Sequence, residues 1–203
     1  MNKMLNELKS NKSLLDKPDI FWGEMAPCEH LLQLYDDSVN FLDTLESFVA
    51  CGILAGDGVI VIATAQHREA LHIRLEKRGI NLATVQAQNK YIPFDAEETL
   101  AKFMVQGWPD EQLFEKLVHE LLLRAKGGHL PNTRRVRAFG EMVAVLWARG
   151  DYAATVRLEH LWHKLCHAEK FSLLCAYPRS GFTDHANTSL QKICDAHTRF
   201  FMT

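Results

Sequence analysis

The sequence lacks the features that mark several common classes of protein. It contains no Cys-x-x-Cys pair, and its five cysteines are an odd number, so neither a disulfide framework nor a zinc ribbon is expected. No apolar run approaches the roughly 18 residues that cross a bilayer, and the first residues lack the apolar stretch of a signal peptide. We therefore expect a cytoplasmic protein that has no membrane partner.

An excess of either charge is also missing. Lys and Arg total 23, Asp and Glu total 25, and the net charge is −2, so nucleic acid is not expected as a direct partner. The 203 residues, 47% of them hydrophobic, are enough for one sizeable core. Pro18, Gly23 and Pro27 interrupt the beginning of the chain. We divide the chain into an N-terminal arm, residues 1–26, loosely packed or used as a dimer contact, and one domain, residues 27–203.

Strand-like and helix-like segments alternate along this domain. Apolar runs predict strands at 30–35, 59–63, 91–94, 136–139 and 171–177. Between them, apolar residues recur at helical spacing. The run at 59–63 is typical of a strand that is buried on both faces. Trp147 and Trp162 are expected in the shared core of two adjoining helices. The alternation predicts a three-layer α/β fold with a mostly parallel sheet.

The phosphate loop of ATPases is missing from the βα turn in which we expect it. This turn reads ATAQHR over residues 63–68. It has neither the glycines that let backbone N–H groups approach phosphate nor the Lys-Ser/Thr pair that contacts phosphate and magnesium. ATP hydrolysis is therefore not expected, and no catalytic residue is predicted. Two alternatives stay open here: an anion bound at the helix start near His67 or Arg68, and a purely structural His67.

Polar side chains follow four of the predicted strands: His67, Asp95, Glu141 and Tyr177. Because parallel strands end at the same edge of a sheet, several of these side chains should converge on a small-ligand pocket. We expect Glu141 and Tyr177 to line it, with His67 and Asp95 at its rim, and Gly140 to let the backbone approach the ligand. Each residue also has a structural alternative, such as a helix N-cap for Asp95.

His160, His163 and His167 are spaced to share one face of a predicted helix. Local spacing supplies no Cys or carboxylate partner for them, so a solvated face is favoured and no metal site is predicted. Cys175 lies at a predicted strand end among apolar neighbours, which favours a buried thiol over a nucleophile.

Taken in order, several segments of the chain resemble the MEDS domain, the methanogen/methylotroph DcmR sensory domain. The matching stretches are HLLQLY at 30–35, GILAG at 52–56, IATAQHREAL at 62–71, FDAEETL at 94–100, VRAFGEMV at 136–143, RLEHLW at 157–162, LCAYP at 174–178 and ICDAH at 193–197. Together they span residues 28–200 approximately.

The resemblance implies a RecA/KaiC-like fold without an intact Walker loop, and a sensory role. The family's proposed ligands are small molecules such as hydrocarbon derivatives, and the cofactor is left unknown. The candidate ligand-binding residues that it carries over are His30, His67, Asp95, Glu141, Tyr177 and His197.

Family members often precede a histidine kinase or a DNA-binding region that serves transcription regulation. This chain ends after the domain, and its arm is too short for a helix-turn-helix domain. We therefore expect output through a partner protein, such as a histidine kinase or a regulator, or through a homodimer. Two alternatives are kept: a divergent nucleotide-dependent ATPase or phosphotransfer enzyme, and an interaction adaptor with a closed pocket.

Overall fold

A computed structural model describes residues 22–23, 25–128, 134–182 and 187–203. The strands are β1 (His30–Tyr35), β2 (Gly58–Ala63), β3 (Tyr91–Asp95), β4 (Met104–Val105), β5 (Trp108–Pro109), β6 (Val136–Gly140), β7 (Ser172–Pro178) and β8 (Arg199–Met202). The helices are α1 (Ser38–Leu54), α2 (Ala65–Lys77), α3 (Leu82–Ala87), α4 (Ala96–Leu100), α5 (Glu111–Lys126), α6 (Met142–Ala148), α7 (Tyr152–Glu169) and α8 (Asn187–Ala196). One 3₁₀ turn, Arg179–Gly181, follows β7.

Six strands form one sheet in the order β3-β2-β6-β7-β1-β8, and all neighbouring pairs are parallel. The predicted three-layer α/β fold with a mostly parallel sheet is therefore confirmed. Two features were not predicted: the short α3, and the antiparallel hairpin of β4 and β5.

Helices cover both faces of the sheet and divide the core into two clusters. We call the side covered by α1, α2 and α3 the α1 face, and the side covered by α4 to α8 the α7 face. Side chains of each strand alternate between the two faces. In β2, for example, Val59 and Val61 join the α1 face, whereas Ile60 and Ile62 join the α7 face. Because helices cover both faces, the central strands are buried on both sides.

Short acidic side chains fix where several helices begin. Asp37, Asp95 and Asp110 accept hydrogen bonds from backbone N–H groups in the first turns of α1, α4 and α5, which otherwise have no partner within the helix. The predicted N-cap role of Asp95 is therefore confirmed. The expected burial of Trp147 and Trp162 is also confirmed, because both side chains are almost fully enclosed on the α7 face.

The end of the predicted N-terminal arm is part of the core. Trp22 is fully buried, and its ring lies edge-on to Phe48 and Phe201. Its carbonyl oxygen accepts a hydrogen bond of 2.6 Å from the guanidinium of Arg137, which also pairs with Asp57 at 2.7 Å. Loose packing is therefore wrong for Trp22, while residues 1–21 and 24 lie outside the described residues.

The chain connections place a topological reversal point between β2 and β6. From β2 the chain proceeds to β3 on one side, and from β6 it proceeds to β7 on the other side. In open α/β sheets, ligands bind outside the carboxyl ends of strands at such a reversal point. Among the helices in the described ranges, none combines the length and the apolar character that a membrane crossing requires.

Candidate functional site

The Glu141 carboxylate joins the carboxyl ends of β2 and β6. Glu141 directly follows β6, and its Oε2 accepts a hydrogen bond of 2.7 Å from the backbone N–H of Thr64, the residue between β2 and α2. Its Oε1 lies 2.6 Å from Nδ1 of His67, in the first turn of α2. The Thr64 side chain makes no capping hydrogen bond. Glu141 therefore supplies, from another element, the negative charge that a helix N-terminus favours.

Two aromatic rings lie next to His67, the partner of this carboxylate. The Phe41 ring stacks on Tyr35 with ring centroids 4.8 Å apart, and its centroid lies 4.8 Å from that of His67. Burial, and then the charge of Glu141, raise the pKa of Tyr35 to about 12. Tyr35 is the last residue of β1, so residues at the ends of β1, β2 and β6 lie close together. We call the group of Tyr35, Phe41, Thr64, His67 and Glu141 the strand-end site.

The strand-end site is partly open to solvent. The His67 side chain is 18% exposed and the Glu141 side chain 8% exposed. Next along α2, Arg68 pairs with Asp95 of the neighbouring strand β3 at 3.3 Å. Asp95 is thus linked to the site through the residue that follows His67, while one of its oxygens caps α4. An imidazole that is partly exposed and a carboxylate that is nearly buried therefore lie together at this edge.

Tyr177 does not share a pocket with Glu141, so this part of the sequence prediction is wrong. The Tyr177 ring packs on the α7 face against Trp147 and Phe182, and its hydroxyl donates a hydrogen bond of 2.5 Å to Glu159. Glu141 instead faces the start of α2, which packs on the α1 face. Side-chain alternation along β7 decides the direction of Tyr177, because Leu173 and Cys175 face the same way.

Two further expectations about strand ends are corrected. The space over Gly140 is occupied by the indole of Trp162, whose Nε1 would lie 3.5 Å from a Cβ added there. The close approach at this glycine is therefore made by the protein core. The turn at residues 63–68, in which a phosphate loop would be expected if it were the first βα turn of the sheet, is the second, because Asp36 and Asp37 form the first one after β1. Asp36 and Asp37 also supply no glycine or lysine.

A second polar group lies buried on the α7 face. It contains His30 of β1, Glu159 of α7, Cys175 of β7 and His197 between α8 and β8. One ligand-type atom of each residue lies within 4.8 Å of those of the others. Each of the four residues is at most 3% exposed. We call this group the His–Cys–Glu cluster.

Hydrogen bonds and burial set the chemical state of this cluster. Nδ1 of His30 lies 3.0 Å from the carbonyl oxygen of Ala196, and Nδ1 of His197 lies 2.6 Å from that of Ile193. Each Nδ1 must therefore carry a proton, which leaves Nε2 with a lone pair when the ring is neutral. Burial, aided by the charge of His163, lowers the pKa of His30 to about 3. Burial also raises the pKa of Glu159.

The predicted binding residues thus fall into two separate places. His67 and Glu141 meet in the strand-end site, whereas His30, Tyr177 and His197 meet around Glu159. Glu159 was not among the binding residues predicted from the sequence. Its signal is a carboxylate between Leu158 and Leu161 on the apolar face of a helix. The predicted solvated face is found for His160 and His167, while His163 is half-buried, with its ring centroid 6.0 Å from that of His30.

Comparison with known proteins gives one family and one fold. A family model described as MEDS, the methanogen/methylotroph, DcmR sensory domain, matches residues 29–198. A structural study of a Pyrococcus horikoshii OT3 protein provides a similar solved structure, with a TM-score of 0.56 at 10% identity. The similarity covers 92% of this chain and 87% of that chain, and at such identity it shows a shared fold alone. Among curated proteins, no match is found.

Proposed function

Because this chain belongs to the MEDS family of sensory domains, we propose that it performs its sensory role by binding a small ligand at the strand-end site. One observation carries the proposal. Glu141 and His67 come from different elements, lie 2.6 Å apart, and meet at the reversal point between β2 and β6. This is the position at which open α/β sheets bind ligands.

The chemistry of the site favours a small molecule that has both an apolar part and a polar group. The half-buried rings of His67 and Tyr35 offer apolar surface, and the buried Phe41 ring holds them in place. The imidazole of His67 and the carboxylate of Glu141 can exchange hydrogen bonds with one polar group. Hydrocarbon derivatives such as alcohols or amines match this description.

Recognition fits the site better than catalysis does. The Glu141 carboxylate is already held by the Thr64 backbone and by His67, so its role is to position α2 rather than to attack a substrate. A ligand that competes for Glu141 or His67 would loosen the start of α2 relative to β6. We therefore propose a non-enzymatic module that signals to a partner protein, such as a histidine kinase or a regulator in transcription regulation, or through oligomerisation.

The fold supports a further part of this proposal, a RecA/KaiC-like origin. The sheet is parallel, its helices lie on both faces, and the turns after β1 and β2 lack the glycines and lysine of a phosphate loop. A nucleotide site that has lost these groups leaves a crevice at the strand ends that a different small ligand can use.

Calorimetry and thermal shift against a panel of small alcohols and amines test the proposal. Glu141→Gln and His67→Ala should weaken binding roughly tenfold, because each removes one hydrogen bond or charge that the ligand uses. His119→Ala is the matched control. His119 is an exposed histidine of α5 that pairs with a glutamate, Glu169 of α7, away from the strand-end site. Equal affinity in all variants, or no ligand response in the wild type, would contradict the proposal.

A further inference from the structure

The donor atoms of the His–Cys–Glu cluster are spaced like the ligands of one metal ion. Nε2 of His30 lies 3.4 Å from Oε2 of Glu159 and 3.5 Å from Sγ of Cys175. The same carboxylate oxygen lies 3.5 Å from Nε2 of His197 and 3.7 Å from Sγ of Cys175. Four ligands in a tetrahedron at zinc distances are separated by roughly 3.3–3.7 Å. These four separations match those around a tetrahedral ion, and the two that remain, from His197 to His30 and to Cys175, are at most 4.8 Å.

Hydrogen bonds from outside the cluster orient three of the four side chains. The carbonyl oxygens of Ile193 and Ala196, both in α8, accept from Nδ1 of the two histidines. Nε2 of each ring, which lies near Oε2 of Glu159, therefore carries the lone pair when the ring is neutral. The Tyr177 hydroxyl donates to Oε1 of Glu159 and leaves Oε2 directed at the histidines. Metal-binding histidines and carboxylates are held in this way in known metal sites.

We propose that His30, Glu159, Cys175 and His197 bind a divalent transition-metal ion, and that zinc fits the site best. Two imidazoles, a thiolate and a carboxylate are donors that zinc accepts. The thiolate and the carboxylate together balance the charge of a divalent ion. The loaded site is therefore neutral, and a neutral site suits four residues that are almost fully buried.

The ion links the C-terminal elements to the central sheet. Its ligands come from β1, β7, α7 and the segment between α8 and β8. Four protein donors leave no open position for a substrate, so the ion acts as a structural or regulatory link and not as a catalyst. Metal binding should therefore stabilise the packing of α8 and β8 against β1. This site is separate from the strand-end site, and it does not depend on the proposed ligand.

Metal titration of the full chain tests the proposal. After treatment with a chelator and its removal, the protein should bind one equivalent of Zn²⁺ or Co²⁺. The cobalt form should show the strong visible absorption of a tetrahedral ion and a thiolate-to-cobalt band. Cys175→Ser should remove the thiolate band. Tyr177→Phe should weaken metal binding by roughly 10- to 100-fold, as expected when a hydrogen bond that orients a ligand is lost.

Cys166→Ser is the matched control, because Cys166 is also a buried thiol of the α7 face, and its thiol donates a hydrogen bond to the carbonyl oxygen of Phe171. This variant should keep both the stoichiometry and the thiolate band. Circular dichroism confirms that each variant is folded. Two results would overturn the proposal. One is the absence of metal binding by the folded wild type, which leaves a hydrogen-bonded core cluster only. The other is a cobalt spectrum that Cys175→Ser does not change.

Discussion

Two glutamates show how the surroundings of a carboxylate decide its role. Glu141 is held by the Thr64 N–H at the start of α2 and by His67, at an edge that solvent reaches. Glu159 is completely buried, and burial raises its pKa. A buried charge requires a nearby counter-charge or several hydrogen bonds. The Glu141 carboxylate is therefore suited to form hydrogen bonds with a ligand, whereas the Glu159 carboxylate is suited to a fixed contact within the core.

The pKa of Tyr35 provides a test of the surroundings of the strand-end site. Its pKa is raised to about 12 in the folded protein by burial and then by the Glu141 charge, whereas an unfolded tyrosine ionises near pH 10. The stabilisation linked to this shift is fully present below about pH 10 and is lost as the pH rises towards 12. Between about pH 10 and about pH 12, the unfolding free energy of the wild type should therefore fall more steeply than that of Tyr35→Phe.

Urea unfolding at several pH values measures this difference. The Glu141→Gln variant offers an internal check. When the Glu141 charge is removed, the Tyr35→Phe substitution should change the pH dependence of the unfolding free energy by a smaller amount. Part of the effect should remain, because burial also raises the pKa of Tyr35. If the unfolding free energies of the wild type and Tyr35→Phe depend on pH in the same way, the pKa of Tyr35 is not raised in the folded protein.

At the scale of elements, two strand glycines have different neighbours. Gly58 begins β2 and lies against the last turn of α5, so that an added Cβ would come within 2.2 Å of the Ala125 carbonyl oxygen. Gly140 ends β6 beneath Trp162, and the nearest atom to an added Cβ there is 3.5 Å away. Backbone atoms cannot move aside without moving α5, whereas a contact of 3.5 Å is ordinary packing.

Gly58→Ala should therefore destabilise the protein by about 1–3 kcal/mol or more, because it overpacks the contact between β2 and α5. Gly140→Ala is the matched control and should change the unfolding free energy by less than about 1 kcal/mol. Chemical denaturation of both variants measures the difference. Equal losses of stability would mean that α5 adjusts to the added methyl group.

For the whole molecule, the sheet separates two sites of different character. The strand-end site lies at the carboxyl ends of β2 and β6, next to the start of α2 on the α1 face. The His–Cys–Glu cluster lies within the α7 face and includes the first residue of β1. A ligand at the first site and an ion at the second would thus act on different helices.

The whole chain should not hydrolyse ATP at a measurable rate. The turns after β1 and β2 contain neither the glycines that let N–H groups approach phosphate nor a lysine. A phosphate-release assay with magnesium, with an active ATPase as positive control, checks this expectation. Magnesium-dependent turnover that disappears in His67→Ala or Glu141→Gln would contradict it and would favour the enzymatic alternative.

The sequence alone determined the order and type of most elements. Val59 to Ala63 predicted a strand buried on both faces, and Asp95 predicted the start of a helix, because hydrophobic spacing and capping act over a few neighbouring residues. The same local rules missed the β4–β5 hairpin. They also placed His67 and Glu141 at one edge of a parallel sheet, where the structure brings them together.

The partners of side chains on different elements were decided only by the tertiary structure. Tyr177 was expected beside Glu141, but the alternation of β7 turns it towards Glu159, which is 18 positions away in the chain. His30 and His197 approach Glu159 only because β1, α7 and the end of α8 pack together. Sequence spacing cannot define such a group, because its four members lie on four separately packed parts of the chain, and the geometry of the sheet and helices sets the distances between them.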